Sequence, residues 1–307
     1  MRVGIVVSIL AAVAVAAAAP YEAGRPLPEP VLFAEGIVSA GAFDSHPAFS
    51  PDGHEVYFVR STPQFSDWKI YVSRYRAGGW EAPAMASFSG RYRDADPYIT
   101  PDGKRLYFIS DRPIVGEDKK DMDIWVMERG SSGWGEPRRL PAPINSAADE
   151  WYPHIAASGA LYFGSGRPGG LGQTDLYRAR ATATGYDEPE NLGASVNTAE
   201  DEYEPWIAPD ESYLIFNAFR SGGRGGGDLY ISFAREGGWT PAKELGAAIN
   251  TAGLEISPTV SPDGRYFFFA SARKKGDWAE GERPDRAQNG LGDIYQMDLD
   301  ALLKSAR

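Results

Sequence analysis

The feature that most constrains this chain is a short segment that occurs five times, each copy beginning with a proline. The leading prolines of successive copies lie 50, 56, 52 and 53 residues apart, and such a period indicates a repeat architecture. Each copy resembles a strand that ends in a Pro-Asp-Gly turn, where proline presets φ, aspartate bonds the backbone and glycine accepts the left-handed conformation. The copies span residues 47–53, 97–103, 153–159, 205–211 and 258–264.

Three further strand signals follow each turn. An aromatic and branched run such as residues 106–108 comes first, an Asp-Leu-Tyr run such as residues 228–230 comes next, and a Gly-Trp turn with a nearby proline precedes an outer strand. Four short strands in every fifty-odd residues are typical of a propeller blade. The sequence therefore predicts an all-β fold, a five-bladed β-propeller of four-stranded blades. The blades are expected near residues 44–93, 94–149, 150–201, 202–254 and 255–297.

The fifth copy has no fourth strand of its own, because a helix-like run at residues 298–304 ends the sequence. Residues 38–44 match the linker that precedes the inner strand of the later copies, as at residues 144–150 and 196–202. We therefore predict that residues 28–43 supply the missing piece and that the N-terminal strand closes the ring. Closure would remove an open sheet edge that otherwise templates aggregation.

Together these motifs resemble a known family of repeats. The Ser/Thr-Pro-Asp-Gly turns, the Asp-Ile/Leu-Tyr strands and the Ile-Asn-Ser/Thr linkers are similar to the TolB-type (WD40-like Pro-Asp) β-propeller repeat over about residues 30–297. Residues 165–177 are similar to propeller segments that accompany OmpA-type domains in envelope proteins. The resemblance implies an interaction platform more than an activity.

The first 18 residues have the composition of a secretory signal, with Met1-Arg2 before an apolar run and small residues at Ala16 and Ala18. We expect cleavage after Ala18, which leaves residues 19–307 as one propeller domain in the periplasm or outside the cell. The alternative is an uncleaved anchor, since the run approaches the roughly 18 residues needed to span a bilayer. After cleavage we expect no membrane span.

Composition narrows the classes of site and partner. The chain has no cysteine, which excludes disulfides and thiolate metal sites. Its net charge is −11, and loss of Arg2 with the signal makes it −12. Such a surface repels nucleic acid and anionic lipid, so neither is an expected partner.

Two kinds of charge recur in every copy. A carboxylate precedes each leading proline by three residues, and an arginine follows each second strand. Carboxylates around one axis repel each other by roughly 1–3 kcal/mol per pair at about 6 Å, so we expect the arginines to clamp them in bidentate pairs. We interpret the set as a structural charge ring. It comprises Asp44, Asp94, Glu150, Glu202 and Glu255 with Arg60, Arg112, Arg167, Arg220 and Arg273.

Positions that differ between copies are better candidates for a ligand site. In a propeller the connections before the first strand and after the second emerge on one side, here called the loop face, and the Pro-Asp-Gly turns emerge on the opposite turn face. We predict a loop-face funnel for a sugar or peptide, overhung by residues 221–227 and 274–292, although packing between blades would also explain each side chain. The predicted ligand-binding residues are His46, Asp96, Tyr98, Trp151, His154, Tyr203, Glu204 and Trp206, with Tyr152 in the same setting.

Signals for catalysis are weaker. The sequence has no Gly-x-Ser-x-Gly nucleophile motif, and His46, His54 and His154 are too scattered to predict a zinc site. The sequence favours an exported scaffold that binds an envelope protein or glycan without a catalytic residue or cofactor. The alternative is a glycan-active lyase or hydrolase that uses the carboxylates of the funnel.

The repeated charged residues include more carboxylates than arginines. Five ring carboxylates and four aspartates that open third strands make nine negative groups against five repeated arginines. Burial of such a surplus is costly unless it is compensated. Calcium or a basic partner segment near the axis would compensate it, and the alternatives are hydration or hydrogen bonds from backbone amides.

Overall fold

The computed structural model describes residues 19–114, 121–277 and 282–307, so the signal-like residues 1–18 lie outside the described part. Five antiparallel sheets radiate from a common axis, which confirms the predicted five-bladed propeller. The innermost strands contact one another in sequence around the ring, and the last contacts the first. In the described ranges, no helix is both long enough and apolar enough to span a bilayer.

The strands follow the chain from blade to blade. The N-terminal strand is β1 (Val31–Leu32). Blade one contains β2 (Phe43–Phe49), β3 (Glu55–Ser61), β4 (Lys69–Arg76), β5 (Gly79–Trp80) and β6 (Ala84–Met85). Blade two contains β7 (Asp94–Ile99), β8 (Arg105–Ser110), β9 (Asp123–Gly130), β10 (Gly133–Trp134) and β11 (Arg138–Arg139). Blade three contains β12 (Glu150–Ile155), β13 (Leu161–Ser165), β14 (Asp175–Ala179) and β15 (Glu190–Asn191). Blade four contains β16 (Asp201–Ile207), β17 (Tyr213–Phe219), β18 (Asp228–Arg235), β19 (Gly238–Trp239) and β20 (Lys243–Glu244). Blade five contains β21 (Glu255–Val260), β22 (Tyr266–Ser271) and β23 (Asp293–Asp298), and the helix α1 (Leu299–Ala306) follows.

Within each blade the chain passes outward through antiparallel hairpins, and the outer edge is short. In blades one, two and four two separate two-residue pieces pair with the third strand, as β5 and β6 do with β4. The second strands are packed on both sides, which explains why their sequences are continuous apolar runs without polar alternation. Each contains a fully buried phenylalanine at the same place, and burial of one such ring stabilises the fold by about 1.5–3 kcal/mol. These rings are Phe58, Phe108, Phe163, Phe216 and Phe269.

The N-terminal segment closes the ring, as predicted. β1 pairs antiparallel with β23, with Val31 opposite Gln296, and the Phe33 amide donates to the Ile294 carbonyl at 2.9 Å. Phe33 is 3% exposed and packs against Phe49 of blade one and Phe268 of blade five. The segment therefore completes one sheet and also fills the space between the first and last blades.

A backbone irregularity occurs in every inner strand immediately before the leading proline. The strand register shifts there, and the residue takes a positive φ between 48° and 62°. Such a φ costs a non-glycine residue about 1–3 kcal/mol, and a bulge of this kind redirects a side chain. Proline is tolerated beside it because a bulge does not require that residue's N–H. We call the five bulge residues the axial residues: His46, Asp96, Tyr152, Glu204 and Ser257.

Ring closure yields a stability prediction. We expect Phe33→Ala to lower the free energy of unfolding by about 3–5 kcal/mol, the usual cost of deleting a buried phenylalanine ring. Leu171→Ala is the control, because Leu171 is 51% exposed and should change it by less than about 0.5 kcal/mol. Denaturant unfolding followed by intrinsic fluorescence measures both. Equal effects of the two substitutions would contradict a stabilising role for the N-terminal segment.

Candidate functional site

Three axial residues from different blades meet at the centre of the ring. His46 Nε2 lies 2.9 Å from Glu204 Oε1 and 3.1 Å from Asp96 Oδ1. The other ring nitrogen of His46, Nδ1, is 2.7 Å from the Ser45 hydroxyl oxygen. All three side chains are buried, so the imidazole bridges two carboxylates that lie out of bulk water.

The remaining two axial residues complete a polar layer across the axis. The Tyr152 amide donates to Asp96 Oδ2 at 2.9 Å, and the Ser257 amide donates to Glu204 Oε2. The Tyr152 hydroxyl donates to the Pro258 carbonyl at 2.7 Å. These bonds link blades one to five through their centres. Asp96 borders a cavity on each side of the layer, so the layer separates the two cavities.

Burial and charge determine the protonation of this layer. Burial by itself lowers the pKa of His46, but the carboxylates of Asp96 and Glu204 raise it, and the net shift is upward. Burial raises the pKa of Asp96 to about 6, with the charge of Glu204 acting in the same direction and that of His46 opposing it. The two carboxylates therefore favour the protonated form of the imidazole.

The loop-face cavity lies above the layer and has a volume of about 380 Å³. His46, Asp96 and Glu204 form its floor, and Asp201 stands at its side. Its walls are aromatic, with the ring of Trp151 6.1 Å from that of Trp68 in an edge-on arrangement. The aromatic side chains of the wall are Phe65, Trp68, Trp151, Tyr203 and Phe219.

The turn-face cavity lies below the layer and has a volume of about 520 Å³. Its lining includes Pro51, Pro101 and other turn prolines. The His154 ring lies between those of Tyr98 and Trp206, with centroids 4.4 and 5.4 Å away and tilts of 51° and 53°. Burial lowers the pKa of His154 to about 3, so this imidazole is neutral, and its buried Nδ1 has no hydrogen-bond partner among the described residues.

The structure thus places the predicted ligand-binding residues in two different cavities. His46, Asp96, Trp151, Tyr203 and Glu204 line the loop-face cavity, where we expected them. Placement of Tyr98, His154 and Trp206 on the same face is wrong, because they line the turn-face cavity. An inner strand advances about 3.3 Å per residue. A residue two positions beyond an axial residue therefore lies on the far side of the polar layer, whereas the residue before it lies on the near side.

Sequence reasoning missed several wall residues. Phe65 and Trp68 come from the connection between β3 and β4, and Phe219 comes from the end of β17. The presence of two aromatic residues in one short connection is the sequence signal that could have indicated a role in the cavity wall. The described residues that line this cavity come from blades one to four. The described residues of the connection 274–292 are therefore not part of its wall, and residues 278–281 of that connection lie outside the described part.

The repeated charges connect groups within each blade, and none of them is among the described residues that line either cavity. Arg60 makes two hydrogen bonds to Asp44, at 2.7 and 3.1 Å, as the bidentate prediction requires. The other blades differ: Arg112, Arg167 and Arg220 each contact one carboxylate oxygen, and Arg273 reaches Glu255 through the hydroxyl of Ser271. The carboxylates are shared with linker groups such as Ser146, Thr198 and Thr251, which leaves one oxygen for the arginine.

Each ring arginine also lies over the aromatic rings of its own second and third strands. The guanidinium carbon of Arg220 is 5.5 Å from the Phe216 ring centroid and 4.5 Å from that of Tyr230. The same residue donates to the carbonyl of Val196 in the linker. Stacking, the ion pair and the carbonyl contact together hold the connection after the second strand against the linker that leads into the same blade.

Asp123 pairs with Arg139 through two hydrogen bonds, whereas the other three third-strand aspartates obtain much of their compensation from backbone amides. Asp175 accepts from the amides of Leu171 and Gly172, Asp228 from Arg224 and Asp293 from Gln288. Over residues 19–114, 121–277 and 282–307, no three acidic or imidazole side chains are grouped to hold a metal ion. The presence of calcium stays a prediction, which thermal melts with calcium and with a chelator would test.

Comparisons with known proteins bear on the fold. No protein-family model matches the chain, and neither does a curated protein. A thermostable family-43 glycoside hydrolase is similar in structure, with a TM-score of 0.54 and 12% identity over 87% of this chain and 92% of that one. An α-L-arabinofuranosidase from Lactobacillus brevis has a TM-score of 0.50 and 14% identity over 86% and 92%. At such identities the likeness shows the propeller fold alone, and the TolB-type resemblance stays a prediction.

The buried carboxyls predict a specific pH dependence. Burial raises the pKa of Asp293 to about 7, the amide of Gln288 opposes this shift and the nearby Asp44 adds to it. Between about pH 4 and 7 the unfolded chain ionises this carboxyl before the folded protein does, so stability falls as pH rises through that range. We expect Asp293→Asn to gain stability relative to the parent between pH 4.5 and pH 8.

Denaturant midpoints at three pH values between 4.5 and 8 measure this difference. Asp187→Asn is the control, because Asp187 is an exposed aspartate and its substitution should shift the midpoint little at any pH. A constant offset between Asp293→Asn and the parent across the range would contradict the raised pKa.

Proposed function

We propose that this protein is an exported binding protein that holds a sugar ring or a comparable small group in the loop-face cavity. The observation that carries the proposal is an open cavity with aromatic walls and a polar floor on the axis. Its volume of about 380 Å³ lies in the range of small-molecule sites. Aromatic faces bind the apolar faces of sugar rings, and a few convergent polar groups then set orientation. This proposal includes a location in the periplasm or outside the cell. It also includes an envelope glycan or protein as the natural partner.

The residues at the floor of this cavity differ between blades, and this distinguishes the cavity from the repeated parts of the molecule. The ring arginines and carboxylates recur in every blade, as a structural role requires, whereas the axial residues differ from blade to blade. Three of the five axial side chains are ionisable at moderate pH, and all three face the same cavity. The combination of buried, differing and convergent groups supports a ligand site at this place.

A glycan-active hydrolase is the second candidate, because Asp96 and Glu204 form a close pair of carboxylates at the floor. A glycosidase requires the scissile bond between its two carboxyl groups. Here His46 Nε2 lies 2.9 Å from an oxygen of Glu204 and 3.1 Å from an oxygen of Asp96, so the imidazole ring occupies that position. The arrangement therefore favours binding over hydrolysis.

Binding is tested with two matched tryptophan substitutions. We expect Trp151→Ala to reduce affinity for a bound glycan at least tenfold, because loss of one stacking face costs about 1.4 kcal/mol or more. Trp239→Ala is the control, since Trp239 lies on the β18–β19 hairpin away from the cavity. A glycan array followed by calorimetry measures both variants. Equal losses in the two variants would overturn the assignment of the site.

Hydrolysis is tested on the same glycan. We expect no release of reducing ends on prolonged incubation with the parent protein, because the histidine separates the carboxylates. Glu204→Gln provides the comparison, since it removes the charge while keeping nearly the same shape. Release by the parent that disappears in Glu204→Gln would establish the hydrolase in place of the binding protein.

A further inference from the structure

We infer that the loop-face cavity selects a ligand bearing an organic cation, such as a substituted ammonium group. This inference rests on the proposed function, because it takes that cavity as the ligand site, and it adds the charge of the ligand. It is carried by three observations: the charge of the lining, the aromatic walls, and the hydrogen bonds that the floor carboxylates already make.

The lining has an excess of negative charge. Asp96, Glu204 and Asp201 contribute carboxylates, whereas His46 is the cationic side chain among the described lining residues, which include neither lysine nor arginine. Asp96 and Glu204 are buried, so their field is weakly screened by solvent inside the cavity. A cation that enters is attracted, and an anion is repelled.

The walls favour the same kind of ligand. The negative face of an aromatic ring attracts a cation, and cages of several rings recognise substituted ammonium groups. Five aromatic side chains line this cavity, from the connection after β3, from the inner strands β12 and β16, and from the end of β17. The rings of Trp68, Trp151 and Tyr203 lie in succession, with centroids about 6 Å apart at each step.

The floor offers fewer acceptors to a neutral polyol, because each carboxylate already has two partners and accepts about four hydrogen bonds in all. Asp96 receives hydrogen bonds from the Tyr152 amide and contacts His46, and Glu204 receives one from the Ser257 amide and also contacts His46. Sugar hydroxyls need directional acceptors with free lone pairs. A substituted ammonium group needs none, since it interacts with the field of the carboxylates and with the ring faces.

The probes are choline and its uncharged carbon isostere, 3,3-dimethylbutan-1-ol, which has the same shape. We expect choline to bind to the full chain at least tenfold more tightly than the isostere, measured by calorimetry and tryptophan fluorescence. Choline affinity should fall as salt rises, whereas affinity for the isostere should not. Trp151→Ala should abolish choline binding, and Trp239→Ala should leave it unchanged.

A charge variant at the side of the cavity avoids disturbing the buried layer. We expect Asp201→Asn to weaken choline severalfold and to leave the isostere unaffected. Asp102→Asn is the matched control, because it removes the same charge from an exposed position on the turn face. Circular dichroism confirms that each variant is folded before it is titrated.

Four outcomes would overturn the inference. Equal binding of choline and the isostere shows a cavity that binds without charge selection, and the proposed binding function survives. Choline binding that persists in Trp151→Ala places the cation elsewhere. A neutral glycan that binds through Trp151 while choline does not identifies a site for uncharged sugars. Failure of both probes and of every glycan removes the proposed function together with the inference.

Discussion

A left-handed residue followed by proline in each inner strand is the constraint on which the centre of this protein depends. Without the bulge, the side chains of the inner strands would alternate between the two sides of each sheet. With it, one side chain per blade is directed to the axis, where five blades converge. The strain of about 1–3 kcal/mol per residue is offset by hydrogen bonds that join the axial residues to each other. Because the bulge recurs in all five blades, the backbone directs five side chains to the axis. The type of residue at each position then determines the chemistry there.

The protein therefore has two sets of charged residues with different roles. Away from the two cavities, arginines repeat with their carboxylates and lie over an equivalent pair of aromatic rings in each blade, and they hold the connections in place. At the centre, His46, Asp96 and Glu204 occur once each, and no arginine of the described ranges pairs with them. Burial shifts the pKa of groups in both sets, and Asp44 and Asp96 both rise to about 6. A shifted pKa therefore does not distinguish a carboxylate that repeats in every blade from one that lines the proposed site, whereas repetition does.

The polar layer also gives the propeller two separate cavities in place of an open channel. Above it, aromatic walls and excess carboxylates suit a cationic or sugar-like group. Below it, the neutral imidazole of His154 lies between two aromatic rings, in a cavity whose lining includes the turn prolines. The two cavities therefore differ in charge although four inner strands contribute to both, because successive positions of an inner strand lie on opposite sides of the layer.

The sequence by itself determined the fold, the number of blades and the closure at β1, because turn chemistry and apolar runs act locally and recur five times. Comparison of the copies also indicated that positions flanking the leading prolines vary, and four of the five axial residues are among the residues named there. Tertiary structure decided which of the neighbouring residues share a cavity. Tyr98, His154 and Trp206 were assigned to the wrong face, since a bulge changes side-chain direction without a sequence signal that reveals by how much. Phe65, Trp68 and Phe219 were missed, because their approach to the axis depends on the paths of connections from separate blades. The contact of His46 with both Asp96 and Glu204 spans residues up to 158 apart in the chain, and only closure of the ring brings them together.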